Sequence, residues 1–325
     1  MIPDKTAVRR DKTLGVRRIV KILLAVSVLL GLTFLALGVV LWTNPLGVGR
    51  WLARGALPRA GLEEVSFPGP RGDLVYFRGG PTEAPAREAK TLVLLHGLGD
   101  EAATWGGTAE ELVQDHRLLI PDLPGHGASD PPRGEGPLSL QDALDAVKVL
   151  VDAEAPAGER VVLVGNSMGG WVALLYALER PERVEELVLV SSAGLYTDLQ
   201  GLTLTPATRE EARALVEAVM GPEVAEQTPG FFLTDIVDKA HEGPVPLYQA
   251  SFDESWLLED RLDQIQAPAT LIWGDLDGLM PVSYARRLES GLPHAQLHVL
   301  EGCAHSLQMT CTARFVRLVQ EVLDD

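Results

Sequence analysis

The chain has 325 residues, 46% hydrophobic and 22% charged, with a formal net charge of −17. Residues 1–21 carry a net +5, so the remainder stands at −22, a surface that repels nucleic acid and argues against it as a partner. Two cysteines without a Cys-x-x-Cys argue against a structural zinc or a dithiol redox site.

The first predicted element is an apolar helix. Ile22 to Trp42 is a run of 21 residues without a charge, and only Ser27 and Thr33 carry hydroxyls. At a rise of about 1.5 Å per residue it spans about 31 Å, the thickness of a bilayer core. The run exceeds the apolar core of a signal peptide, and no convincing A-x-A site follows, so it reads as a retained transmembrane anchor. Seven Lys and Arg precede it. That excess predicts a basic cytoplasmic N-terminus (1–21), an anchor (22–42) and a catalytic domain on the extracytoplasmic side. Residues 43–61 read as a juxtamembrane linker, with Trp51, Leu52 and Leu57 either touching the membrane surface or packing on the domain.

From residue 62 to 325 strands alternate with helices. Leu62–Phe67 and Leu74–Arg78 read as an antiparallel pair. TLVLL at 91–95 is apolar throughout, as in a strand covered on both faces. A helix at about 107–115, a strand at 117–120 and a helix near 139–154 follow. Next come a strand at 160–164 and a helix at 168–180, then strands at 187–190, 270–273 and 296–300. Helices at 282–291 and 306–323 complete the pattern. This predicts an α/β fold with a mostly parallel, eight-stranded sheet and helices on both faces. The alternation breaks at about 196–262, a helical stretch rich in proline that holds six of the chain's 18 aromatics. It reads as a cap over the sheet's C-terminal edge, its aromatics either roofing an apolar pocket or packing the cap onto the core.

The chemistry centres on Gly165-Asn166-Ser167-Met168-Gly169. G-x-S-x-G between a buried strand and a helix is a nucleophile elbow: a tight turn with small residues two before and two after the serine. A serine hydroxyl needs a base. Of seven histidines, only His305 lies in a loop after the last strand, at the sheet edge where such loops gather. His298 sits along a strand; His116 and His294 read as surface residues. The imidazole in turn needs a carboxylate, and the strand at 270–273 runs into Asp275 and Asp277, both candidates. Oxyanion donors are expected from the backbone N–H of Met168 and, from the loop after Leu95, of Leu98. No metal-ligand spacing and no cofactor motif is present. A Cys303–Cys311 disulfide suits an oxidising compartment, but Cys311 on a helix and Cys303 in a loop argue against it.

LLHGLG at 94–99, PDLPGHGASD at 121–130, VGNSMGG at 164–170, LIWGDLDGLMP at 271–281 and EGCAHS at 301–306 occur in the order and spacing of one family. From about residue 62 to the end the chain resembles the α/β-hydrolase fold serine hydrolases. The resemblance implies Asp277 as the acid and Leu98 as the second oxyanion donor. The anchor, SMGG and LVLVSSAGLYTD at 187–198 are similar to membrane-anchored monoacylglycerol lipases and esterases. That implies a small-molecule apolar ester substrate cleaved through an acyl-enzyme. GNSMGG and Gln308 are shared with carbon–carbon bond hydrolases of ring-cleavage products, but Ser306 stands where those enzymes usually place an aromatic. A non-catalytic anchored binding domain is disfavoured, because Ser167, Asp277 and His305 are all present.

Overall fold

The structure, a computed structural model, describes residues 5–81, 89–129 and 136–324. It divides into two units, Met1–Val48 and Gly49–Asp325. The first is dominated by helix α1 (Lys5–Thr43). Within it, Lys21–Thr43 is 23 residues with mean hydropathy 2.7, long and apolar enough to cross a membrane. The hydroxyls of Thr33 and Thr43 donate to the carbonyls of Leu29 and Val39, each at 2.9 Å. Both are thus satisfied within the helix, as a hydrocarbon surrounding requires. Helix α2 (Pro45–Arg54) begins on a proline whose missing N–H costs nothing at a first turn.

The second unit contains α3 (Ala56–Arg59), whose Leu57 is completely buried in the core. The strands are β1 (Glu63–Gly69), β2 (Gly72–Gly79), β3 (Thr91–Leu95), β4 (Arg117–Pro121), β5 (Val161–Asn166), β6 (Val184–Val190), β7 (Ala269–Gly274) and β8 (Ala295–Leu300). They form one sheet in the order β1-β2-β4-β3-β5-β6-β7-β8. β1 and β2 pair antiparallel, β2 joins β4 antiparallel, and the pairings from β4 through β8 are parallel.

Alternation along the central strands feeds two apolar layers. Val93, Leu95 and Leu163 point to one, with α5 (Leu140–Glu154) and α6 (Met168–Glu179) packed on it. Leu92, Leu94, Val162 and Val164 point to the other, with α4 (Gly106–Leu112). This is why the central strands read as unbroken apolar runs. Four helices, α7 (Arg209–Met220), α8 (Pro222–Gln227), α9 (Gly230–Lys239) and α10 (Pro244–Gln249), are inserted between β6 and β7. α11 (Val282–Gly291) links β7 to β8.

Three readings of the sequence are corrected. The expected helix at 306–323 is two: α12 (Leu307–Thr310) and α13 (Thr312–Asp324), broken at Cys311, whose φ of −125° is not helical. Freed from a helix interior, Cys311 pairs with Cys303, their Cα atoms 6.0 Å apart. His116 is buried rather than on the surface, its Nδ1 accepting from the Lys90 N–H at 3.4 Å.

Candidate active site

Ser167 sits between β5 and α6 with φ 54° and ψ −118°, a region that non-glycine residues rarely occupy. The surroundings hold it there. Its N–H donates to Val190 O at 3.1 Å, and its carbonyl accepts from Trp171 N at 3.2 Å and Ala193 N at 3.0 Å. Strain maintained by neighbours in this way is a feature of functional turns. The flanking glycines are required by close approach. A Cβ on Gly165 would lie 2.5 Å from the backbone of Gly169, and one on Gly169 would lie 2.2 Å from Leu95 O.

The loops after β7 and β8 bring the acid and base candidates together. His305 Nδ1 stands 2.9 Å from Asp277 Oδ2 and 3.0 Å from Oδ1, and both side chains are buried. Asp277 Oδ1 also accepts from the N–H of Leu279 at 3.0 Å and of Met280 at 2.8 Å. These donors fix the carboxylate in its turn. Asp275 faces elsewhere: it is exposed, and its Oδ1 accepts from Gly302 N at 2.6 Å.

Asn166, which the sequence reading passed over, joins this pair to the elbow. Its Nδ2 donates to Val190 O at 3.0 Å and to His305 O at 3.3 Å, so the residue before Ser167 is tied to the segment carrying the imidazole. Its only sequence signal was a carboxamide placed where a buried strand ends. On the other side, a Cβ on Gly97 would lie 3.2 Å from Ser167 Cβ, which places the loop carrying Leu98 directly against the elbow. Met168 N–H opens α6, where a first-turn donor has no helical acceptor.

Two histidines without an assigned role in the sequence brace that loop. His96 Nε2 accepts from Leu123 N at 2.9 Å, and His126 Nε2 accepts from Gly99 N at 3.1 Å. Their rings meet edge to face at 4.8 Å. Burial lowers the His96 pKa to about 4. Burial, and then the neighbouring His96, lowers that of His126 to about 3. Both therefore stay neutral at physiological pH and keep an acceptor nitrogen.

The inserted helices touch the site at several points. Tyr248 of α10 packs on the His126 ring at 5.5 Å and donates to Pro124 O at 3.2 Å. Trp171 Nε1 donates to Trp256 O at 3.0 Å, with Phe252 6.2 Å from its ring. Phe252 and Tyr196 are exposed, whereas Tyr248 is core. At the end of α7, Ala218 O accepts from Gly278 N at 3.1 Å and Val219 O from Ser306 N at 2.9 Å. The loops carrying Asp277 and His305 are thus both hydrogen-bonded to one helix end. The disulfide closes the segment around His305.

Comparison with known proteins agrees with this architecture. An uncharacterised protein of Mycobacterium tuberculosis is 29% identical over 271 residues, covering 74% of this chain and 76% of its own. A 2-hydroxy-6-oxononadienedioate/2-hydroxy-6-oxononatrienedioate hydrolase of Cupriavidus pinatubonensis is 32% identical over 257 residues, covering 72% and 87%. Among solved structures, a membrane phospholipase A described as a bacterial virulence factor superposes with a TM-score of 0.69. It is 25% identical and covers 95% of this chain and 98% of its own. The sequence profile described as "Alpha/beta hydrolase family" matches residues 92–318, and the chain belongs to that family.

Proposed function

We propose that the protein is a serine carboxylic-ester hydrolase acting on apolar or lipid-like esters, a lipase or esterase of the monoacylglycerol-lipase type. The observation that carries this is the buried Asp277–His305 pair, joined through Asn166 to the strained turn of Ser167. His305, held by Asp277 through Nδ1, takes the Ser167 proton at Nε2 as Oγ attacks the ester carbonyl. The N–H groups of Leu98 and Met168 receive the charge on the tetrahedral oxygen; each such donor contributes about 3–4 kcal/mol. His305 then protonates the leaving alcohol, and water, activated by the same imidazole, releases the acid from Ser167.

The apolar helix confines this chemistry to a surface where lipid esters dissolve, and the membrane phospholipase likeness supports that setting. The basic N-terminal flank favours a cytoplasmic N-terminus and an extracytoplasmic catalytic domain. The Cys303–Cys311 disulfide fits an oxidising compartment on that side. A second reading, carbon–carbon bond hydrolysis, is favoured by the relative from Cupriavidus pinatubonensis. Against it, Ser306 follows His305 at the position where hydrolases of ring-cleavage products usually carry an aromatic.

The test is covalent labelling by a fluorophosphonate probe, together with rates on nitrophenyl esters of increasing chain length and on a ring-cleavage product. Native protein should label and prefer esters, and Ser167→Ala should do neither. Greater kcat/KM on the ring-cleavage product would select the second reading, and native protein without label would remove both.

A further inference from the structure

Helix α2 has two unlike faces. Its inner face carries cations into the loops around the candidate site. Arg54 Nη1 donates to Asp122 Oδ2 at 2.7 Å, and that carboxylate, wholly buried, also accepts from Ala102 N at 2.7 Å and Ala128 N at 2.9 Å. The Arg54 guanidinium lies over the Phe77 ring at 4.7 Å. Arg50 Nη2 donates to Gly99 O at 3.0 Å, one residue beyond Leu98. The outer face is apolar and bare: Trp51 is 73% exposed and Leu52 57%. A soluble surface seldom leaves a tryptophan and an adjacent leucine so open. Tryptophan beside leucine and arginine is instead the composition of a membrane–water interface.

Chain length names the occupant. Trp51 follows the end of the 23-residue apolar segment at Thr43 by eight residues, so the polypeptide can separate them by at most about 28 Å. Arg59, exposed, supplies positive charge for phosphate headgroups in a domain that is otherwise strongly acidic. We propose that Trp51 and Leu52 seat the catalytic domain on the lipid surface, and that Arg50 and Arg54 fix the loop bearing Leu98 relative to that surface. The proposal rests on the anchored-hydrolase reading and adds to it a defined contact and orientation.

The experiment uses the full chain in phosphatidylcholine vesicles, with and without brominated acyl chains, comparing native protein with Trp51→Phe. Flotation with the vesicles tests the anchor separately. Bromines near the headgroups should quench a component of native fluorescence that Trp51→Phe lacks. The double variant Trp51→Ser/Leu52→Ser should hydrolyse a bilayer-dispersed ester about fivefold more slowly, while kcat/KM on a water-soluble butyrate ester stays unchanged. Protein that floats while its Trp51 component goes unquenched overturns the proposal and leaves the anchor reading intact. An equal loss on both esters also overturns it, as does an unquenched Trp51 whose double variant converts a dimer to a monomer. Absence of all ester hydrolysis would sink the hydrolase reading alone, since quenching is read without activity.

Discussion

Asp277→Asn is a sharp test of the proposed acid–base pair, because it changes charge and proton placement at constant shape. Oδ1 already accepts from Leu279 and Met280, so the amide oxygen keeps that position and the amide nitrogen takes the place of Oδ2. There it faces His305 Nδ1, which stands 2.9 Å from Oδ2 in the native protein. Two donors cannot share that contact. The amide oxygen, 3.0 Å from Nδ1, keeps only part of the native contact, so the imidazole shifts towards the tautomer protonated at Nε2, the nitrogen required to accept from Ser167. The imidazolium formed during attack also loses its counter-ion in a site where the two side chains are 4% and 0% exposed. We expect kcat to fall by about 10³–10⁴, or roughly 4–5.5 kcal/mol of transition-state stabilisation, with little change in KM. Asp275→Asn, at an exposed carboxylate holding only Gly302 N–H among the described contacts, should stay within about threefold of native. Steady-state hydrolysis of a soluble nitrophenyl ester reads both, with circular dichroism to confirm folding. Asp277→Asn retaining more than about a tenth of native kcat, or Asp275→Asn proving the worse, would refute the assignment.

Other outcomes follow from the same geometry. Replacing both members of the disulfide, Cys303→Ala/Cys311→Ala, opens a loop with a sequence separation of 8, and loop-closure entropy puts the loss at about 2–3 kcal/mol. Calorimetry should show a melting point lower by about 4–10 °C, with kcat reduced more than KM is raised. Gly169→Ala places a methyl 2.2 Å from Leu95 O and should cost at least about 1–3 kcal/mol of stability along with most activity, read by urea unfolding and ester hydrolysis. His96 and His126 have folded pKa values of about 4 and about 3, below the unfolded value of about 6.5. The unfolded chain therefore binds protons first: their stabilising contribution is complete above about pH 6.5 and is lost as pH falls towards those folded values, by up to about 1.4 kcal/mol per pH unit for each. Urea unfolding at pH 7, 5 and 4 should follow that slope, and His126→Gln should flatten it by about half; a native curve flat across this range would contradict it.

Much of the fold was legible because the central strands are buried on both faces and so write apolar runs within 91–95, 160–164 and 270–273, inside or next to the observed strands. The elbow was legible because its glycines answer a local collision, with five residues sufficient to state the requirement. The meeting of Asp277 and His305 could be anticipated from chain order, since loops after parallel strands collect at one edge. Other features depend on contacts distant in sequence. Nothing local marks Leu57 as core or Arg54 as the partner of Asp122, 68 residues away. His96 and His126 carry no local sign of their bracing role, which depends on rings and backbone donors brought together from two loops. The break at Cys311 was invisible because an amphipathic pattern runs through it; only the non-helical backbone there lets the thiol reach Cys303.

The two carbonyls at the end of α7 bear on how such an enzyme changes its preferences. A chimera importing a relative's inserted helices would also shift the carbonyls that accept from Gly278 and Ser306, and so disturb both members of the proposed acid–base pair. Grafts confined to α8 and α9, after Gly221, leave those acceptors and Tyr248 of α10 native and should alter selectivity while sparing turnover. Selection on this scaffold is then channelled: α8 and α9 are freer to diverge, whereas the last turn of α7 and Tyr248 of α10 evolve with the loops they hold.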